Sequence, residues 1–169
     1  MNDHQEPVLV CKDLCISYYT RAGEIPAVVD FSLTVLPGET IGIVGESGCG
    51  KSTVAMAIMQ YMGANGGIKS GSTFKDRDLN QMSEDELRHI RGAEIAMIYQ
   101  EPFASLNPSL KISTQLMEVP LAHENISKEE ARHRAVQMLA DVKLPDPERL
   151  MDAYPHQLSG GQQQRVVIA

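Results

Sequence analysis

The sequence is poor in the features that mark extracellular, membrane-spanning and nucleic-acid-binding proteins. Its 3 cysteines are odd in number and form no C-x-x-C pair, so we expect no disulfide framework and a reducing compartment. No apolar run approaches the roughly 18–20 residues that cross a bilayer, and the first residues are polar, so neither a transmembrane helix nor a secretory signal peptide is expected. With 15 Lys and Arg against 22 Asp and Glu, the net charge is −7, which disfavours a nucleic-acid partner.

What the chain does contain is the composition of an ordinary globular protein. Apolar residues make up 43% and charged residues 22% of its 169 residues, which is enough to bury a core. Hydrophobic periodicity and turn residues predict an α/β part over residues 1–104, followed by a helical part over residues 105–169. The predicted strands cover 8–19, 28–36, 40–44, 72–74 and 95–99, and the predicted helices cover 51–62, 83–91, 127–142 and 162–169.

Residues 45–52 match the phosphate-loop pattern G-x-x-x-x-G-K-[ST] at every position. A predicted buried strand leads into this loop and an apolar helix leaves it. Glycines let the backbone fold around phosphates, so that amide N–H groups from about Gly48 to Thr53 point at the anion. Lys51 would contact the β- and γ-phosphates, and the Ser52 hydroxyl would coordinate Mg²⁺. The predicted nucleotide-binding residues are Gly45, Glu46, Ser47, Gly48, Cys49, Gly50, Lys51, Ser52 and Thr53.

A second glycine-containing motif follows about a hundred residues later. Residues 158–165 read Leu-Ser-Gly-Gly-Gln-Gln-Gln-Arg, which resembles the signature of ABC ATPases. Ser159, Gly160 and Gly161 stand at the start of a predicted helix, whose N–H groups and positive dipole end favour a phosphate. The resemblance implies that this site, including Gln162, meets the γ-phosphate of ATP held by a second ABC ATPase subunit, so that two domains enclose two nucleotides.

Two further segments look like nucleotide-site elements of the same family. Residues 97–102 resemble the Q-loop, which implies that the Gln100 amide reaches Mg²⁺ and the attacking water as a catalytic group. Tyr18 is placed like the aromatic residue that stacks on adenine. Tyr19 is the rival, because strand neighbours face opposite ways and only one of them can serve. We favour Tyr18 and leave the alternative open.

Blocks across nearly the whole chain resemble the ATP-binding subunits of oligopeptide, dipeptide and nickel importers. The resemblance implies an α/β P-loop NTPase fold: a RecA-like core with an antiparallel β subdomain, plus an ABC-type helical subdomain. It further implies ATP hydrolysis coupled to solute uptake, with two permease subunits and, indirectly, an extracytoplasmic solute-binding protein. Such subunits lie peripherally on the cytoplasmic face of the inner membrane. The matching blocks are residues 45–48, 87–92, 97–102, 105–108 and 154–161.

One expected element has no match in the sequence. ABC ATPases carry an apolar strand ending in Asp-Glu, the Walker B element, and neither Asp85-Glu86 nor Asp141 fits it. We therefore expect an N-terminal fragment of a longer ATPase, without Walker B, D-loop or switch histidine, and inactive alone. Two alternatives stay open: a soluble ABC ATPase of DNA repair or chromosome maintenance, and a non-catalytic nucleotide-binding module.

Overall fold

A computed structural model describes residues 6–99 and 105–169 of the chain. It divides into two compact units, Met1–Arg91 and Gly92–Ala169. The domain boundary predicted at residue 104 falls on residues outside the described part and stays a prediction. Among the described residues, no helix is long and apolar enough to cross a membrane.

The first unit is built on an antiparallel sheet of five strands. Strands β1 (Leu9–Thr20) and β2 (Gly23–Val35) form a long hairpin in which Tyr18 pairs with Ile25. Its tight turn leaves only Arg21 and Ala22 between the strands. The strand order is β2-β1-β4-β5, and β3 also pairs with β1. The three short strands are β3 (Gly66–Ile68), β4 (Ser72–Phe74) and β5 (Arg77–Asp78), so the strands predicted over 8–19, 28–36 and 72–74 are confirmed.

One helix of this unit, α1 (Lys51–Ile58), shares a hydrophobic core with the sheet. Its side chains Val54 and Ala57 are buried in the same cluster as Leu14 and Ile16 of β1. The helix ends four residues before the predicted end at residue 62, because Gln60 takes a left-handed conformation with φ 51°. Helix α2 (Glu84–Ile90) begins as predicted, since Ser83 and Glu86 form a reciprocal capping box.

Two predicted strands are wrong. Residues 40–44 and 95–99 carry apolar runs, yet neither segment forms a strand in the structure. Val44 is 92% exposed and Ile98 is 58% exposed, far from the burial that their composition suggested. A strand exists only where a neighbour supplies hydrogen-bond partners, and the described residues place no such neighbour beside either segment.

The second unit is helical. Helix α4 begins where the sequence predicted a helix, because Ser127 caps it by accepting a hydrogen bond from the Glu130 N–H at 3.1 Å. The core includes Leu139 of α4, Met151 of α5 and Val166 of α6, all 2% exposed or less. The elements are α3 (Ile112–His123), α4 (Lys128–Asp141), α5 (Pro147–Met151), a 3-10 turn (Pro155–Gln157) and α6 (Gly160–Ile168).

Candidate functional site

The loop before α1 has a backbone shaped by glycine. Gly48 and Gly50 have φ angles of 83° and 95°, in the left-handed region that glycine adopts without strain. Gly50 is the N-cap of α1 and offers no side-chain acceptor to the first turn. The first N–H groups of a helix have no partners within the helix. The start of α1 is therefore a set of donors suited to an anion.

The Lys51 ammonium group lies within this loop. Its Nζ donates hydrogen bonds to the carbonyl oxygens of Gly45, at 2.9 Å, and of Glu46, at 2.6 Å. The Cys49 sulfur is 3.5 Å from the same nitrogen. A Cβ added at Gly45 would lie 2.7 Å from that sulfur, so the loop closes tightly on itself. The loop thus holds one positive charge next to the uncapped start of α1. An anionic group bound there would interact with the ammonium and with the free N–H groups of the helix.

Gly50 gives a direct test of this backbone geometry. A Cβ at this position would lie 3.0 Å from Val28 Cγ2 and 3.1 Å from the Ala27 carbonyl oxygen. We expect Gly50→Ala to lower the free energy of unfolding by about 1–3 kcal/mol, because it adds left-handed strain to this crowding. Urea unfolding measures the change. Gly42→Ala is the matched control, since a Cβ there meets nothing within 4 Å, and equal stability of both variants would contradict the prediction.

The next residues of the motif follow in the first turn of α1. Ser52 is exposed and Thr53 is half-buried, and the loop residues Glu46 and Ser47 before them are exposed. The Ser52 hydroxyl is an oxygen donor of the kind that Mg²⁺ prefers. Within residues 6–99 and 105–169, no three His, Cys, Asp or Glu side chains converge as a metal site. The chemistry of Ser52 fits a Mg²⁺ ion that also takes ligands from a bound phosphate.

The two candidate adenine-stacking residues occupy opposite faces of β1. Alternation places half-buried Tyr18 on the face of Ile16, which shares its hydrophobic cluster with α1. Tyr19 is 47% exposed, and its ring covers Gly67 of β3 so closely that a Cβ there would lie 2.8 Å from Cε2. Tyr18 thus shares the face that carries the phosphate-loop helix, and its contact with adenine stays a prediction.

Arg91 is a residue that the sequence analysis noted only as part of a matching block. Its Nε donates to the Met59 carbonyl at 2.9 Å, and its Nη2 donates to the Gln60 carbonyl at 2.7 Å. Its Nη1 also donates to Glu84 at 2.8 Å. The guanidinium thereby satisfies carbonyl groups where α1 ends. The sequence signal that could have identified Arg91 is its position directly after the end of a short amphipathic helix.

The second candidate site is the start of α6. Ser159 is its N-cap: the Ser159 Oγ accepts from the Gln162 N–H at 3.4 Å, and the Gln162 Oε1 accepts from the Ser159 N–H at 2.9 Å. Ser159, Gly160 and Gly161 are exposed, while Gln162 is half-buried. A Cβ at Gly161 would stand in open space. This helix start is thus accessible, and no large side chain covers it.

The structure brings the predicted residues together in two groups. Residues 45–53 form the loop and first turn at α1, in the first unit, and residues 159–162 form the start of α6, in the second unit. Gln100 lies outside the described residues, so its catalytic role and its Mg²⁺ contact remain predictions.

Comparison with known proteins gives a consistent family assignment. A family model described as ABC transporter matches residues 28–169. The oligopeptide transport ATP-binding protein OppD of Escherichia coli (strain K12) is 45% identical over 164 residues, which cover 97% of this chain and 49% of that protein. The dipeptide transport ATP-binding protein DppD of Bacillus subtilis (strain 168) is 44% identical over 166 residues, covering 97% of this chain and 50% of that protein. The chain thus spans about half the length of these curated relatives.

A solved structure extends the comparison to the fold. A dimeric post-hydrolysis state of the ATP-binding cassette MJ0796, bound to ADP and Pi, has a TM-score of 0.81 at 29% identity. The match covers 95% of this chain and 67% of that chain. It confirms the predicted fold class, a P-loop NTPase with an antiparallel β subdomain and a helical subdomain.

Proposed function

Because this chain belongs to the ABC transporter family, we propose that it binds Mg²⁺ and ATP as the ATP-binding component of a peptide importer. The observation that carries the proposal is the loop at α1, where the Lys51 ammonium lies beside an uncapped helix start. The names of its curated relatives, oligopeptide and dipeptide transport ATP-binding proteins, support the choice of solute. The proposal that bound ATP is hydrolysed is supported by the likeness to a cassette bound to ADP and Pi.

In this proposal the loop residues bind the triphosphate. The N–H groups at the start of α1 donate to phosphate oxygens, and Lys51 exchanges the carbonyls of Gly45 and Glu46 for the β- and γ-phosphates. The exposed Ser52 hydroxyl holds Mg²⁺. When bound, that ion would neutralise charge on the β- and γ-phosphates as the γ-phosphoryl group passes to water and ADP leaves. Gln100 orients the attacking water, and Tyr18 stacks on adenine.

The signature at α6 would act on ATP bound by a second subunit. Ser159 and the exposed glycines present the positive end of a helix that no larger side chain covers. A phosphate seated there would be shared between two subunits, so ATP binding would close a dimer. The dimeric state of the MJ0796 cassette supports this arrangement.

The other proposed partners are two permease subunits and, indirectly, an extracytoplasmic solute-binding protein, with the chain held peripherally at the cytoplasmic face of the inner membrane. Large apolar side chains lie exposed on the helical unit, and two of them, Val119 and Met138, line the same cavity, which supports a docking surface for another subunit there. The exposed side chains include Leu110 (37% exposed), Val119 (47%), Met138 (45%) and Ile168 (50%).

The two alternatives from the sequence are less well supported. A soluble ABC ATPase acting on DNA would share the fold, but the curated relatives carry peptide-transport names. A non-catalytic nucleotide-binding module would bind ATP at the same loop without turnover. Two measurements on the full-length protein, reconstituted with its permease subunits, distinguish the three candidate functions: phosphate release and peptide uptake. ATP-dependent uptake supports the importer, binding without turnover favours the module, and DNA-stimulated turnover without uptake favours the soluble ATPase.

Cys49 provides an independent probe of the nucleotide site. Its thiol is exposed in the loop, whereas the Cys11 thiol is buried and burial raises its pKa, which leaves less reactive thiolate at neutral pH. We expect N-ethylmaleimide to modify Cys49 first and to block nucleotide binding sterically. Bound Mg-ATP should slow this labelling by about tenfold or more, as occupancy of a tight site protects it. Mass spectrometry of labelled peptides measures the rate, and equal rates with and without Mg-ATP would contradict the prediction.

A further inference from the structure

Gln163 is a polar side chain in the hydrophobic core of the helical unit. It lies one turn into α6 and is only 2% exposed. Its Nε2 donates to two backbone carbonyls, those of Pro155 at 2.7 Å and of Leu158 at 3.2 Å. Its backbone N–H donates to the Ser159 carbonyl at 2.9 Å. Three hydrogen bonds from this one residue therefore hold the signature serine and the segment that precedes it.

The amide orientation of Gln163 is fixed by chemistry. Both neighbours of its Nε2 are carbonyl oxygens, which need a donor, so the amide nitrogen must face them. The Oε1 atom is then left buried without a hydrogen-bond partner. A buried acceptor without a donor lowers stability; an apolar side chain of equal size would remove that acceptor but would leave the Pro155 and Leu158 carbonyls without the Nε2 donor. What the glutamine supplies, and an apolar side chain cannot, is therefore the link between these two carbonyls.

We propose that Gln163 is a positioning residue for the signature: by clamping the Pro155 and Leu158 carbonyls, it fixes Ser159 and the N–H groups that meet the phosphate of the partner-bound ATP. This inference rests on the proposed function. Leu158 is itself buried in the core, so the clamp ties the accessible end of α6 to a rigid base. The side chain reaches no exposed surface and acts only through the backbone of its neighbours.

Gln163→Met in the full-length protein tests the proposal, because methionine keeps the volume but donates no hydrogen bond. We expect kcat for ATP hydrolysis to fall by about 10- to 100-fold, since a misplacement of about 1 Å has effects of this size. The Kd for ATP of the monomeric subunit should stay within about twofold, because the phosphate loop lies in the other unit. Gln137→Met is the matched control: this exposed glutamine of α4 lies outside the signature and donates to the surface carboxylate of Asp141, so its variant should hydrolyse ATP normally.

Hydrogen exchange supplies a readout that does not depend on activity. The N–H groups of Gln162 and Gln163, which donate to Ser159, should exchange faster in Gln163→Met, while those of α1 stay unchanged. Unchanged exchange, or unchanged kcat in the folded variant, overturns the positioning role. If the wild-type protein fails to hydrolyse ATP, the proposed function is overturned instead, and the exchange result still shows whether Gln163 holds the two carbonyls in place.

If Gln163→Met does not fold, Gln163→Asn, which is too short to reach both carbonyls, replaces it. Loss of folding in both would assign Gln163 to stability alone.

Discussion

Replacing Lys51 by alanine is expected to weaken ATP binding by about 100-fold and to abolish measurable ATP hydrolysis. The Lys51 ammonium is the cation that the structure places within the loop, 2.6–2.9 Å from two backbone carbonyl oxygens. A charge-assisted hydrogen bond contributes about 1.5–3 kcal/mol, and each 1.4 kcal/mol is a factor of ten in affinity. Hydrolysis should fall by a further factor of about 10²–10³, because charge stabilisation in the transition state is lost as well.

Two measurements on the full-length protein check this expectation. Isothermal titration gives the affinity for Mg-ATP, and a phosphate-release assay gives the rate. Lys69→Ala is the matched control, because Lys69 lies on the same unit in an exposed ion pair with Glu24, a kind of contact that contributes little. Near-normal hydrolysis by Lys51→Ala would contradict the assignment of the phosphate site.

Local sequence signals predicted much of this fold. The capping boxes at Ser83 and the N-cap at Ser127 depend on residues three positions apart, and both helices begin where those pairs place them. Strands β1 and β2 were predicted over 8–19 and 28–36, although β2 begins five residues earlier, at Gly23. The strands predicted from the apolar runs over 40–44 and 95–99 are wrong, because an apolar composition shows that a segment could be buried but does not supply the neighbouring strand that it must pair with. Strand pairing is a non-local property, and its prediction failed for segments that have no partner strand adjacent to them in sequence.

The features of the candidate sites also divide into those that local sequence predicted and those that it did not. The phosphate loop and the signature were predicted because each is a contiguous motif whose glycines have a local backbone purpose, as φ 95° at Gly50 shows. Strand β3 was missed because Gly66 and Gly67 look like a loop, although Gly67 is small so that Tyr19 can lie over it. Arg91 and Gln163 were also missed, since their partners are carbonyl groups that carry no side-chain signal.

Gly161→Asp is expected to separate folding from function at the signature. A Cβ at Gly161 meets nothing within 4 Å, and the position lies in the first turn of α6. Aspartate in a first turn is favoured by the helix dipole and has a better helix propensity than glycine, so the melting temperature should be equal or higher. The same carboxylate would stand where the proposed function places a phosphate.

The functional loss in Gly161→Asp follows from the repulsion between these two negative groups. Unit charges about 4 Å apart repel by about 1 kcal/mol in water and by about 4 kcal/mol near a protein surface, so ATP-driven dimerisation and hydrolysis should fall by about 5- to 1,000-fold. Gly161→Asn is the matched control, because it has the same size without the charge and should retain most of the activity. Analytical ultracentrifugation with Mg-ATP measures dimerisation, and phosphate release measures turnover. Equal losses in both variants would show that bulk, and not charge, is excluded at this position, whereas full activity in Gly161→Asp would remove the start of α6 from the nucleotide site altogether.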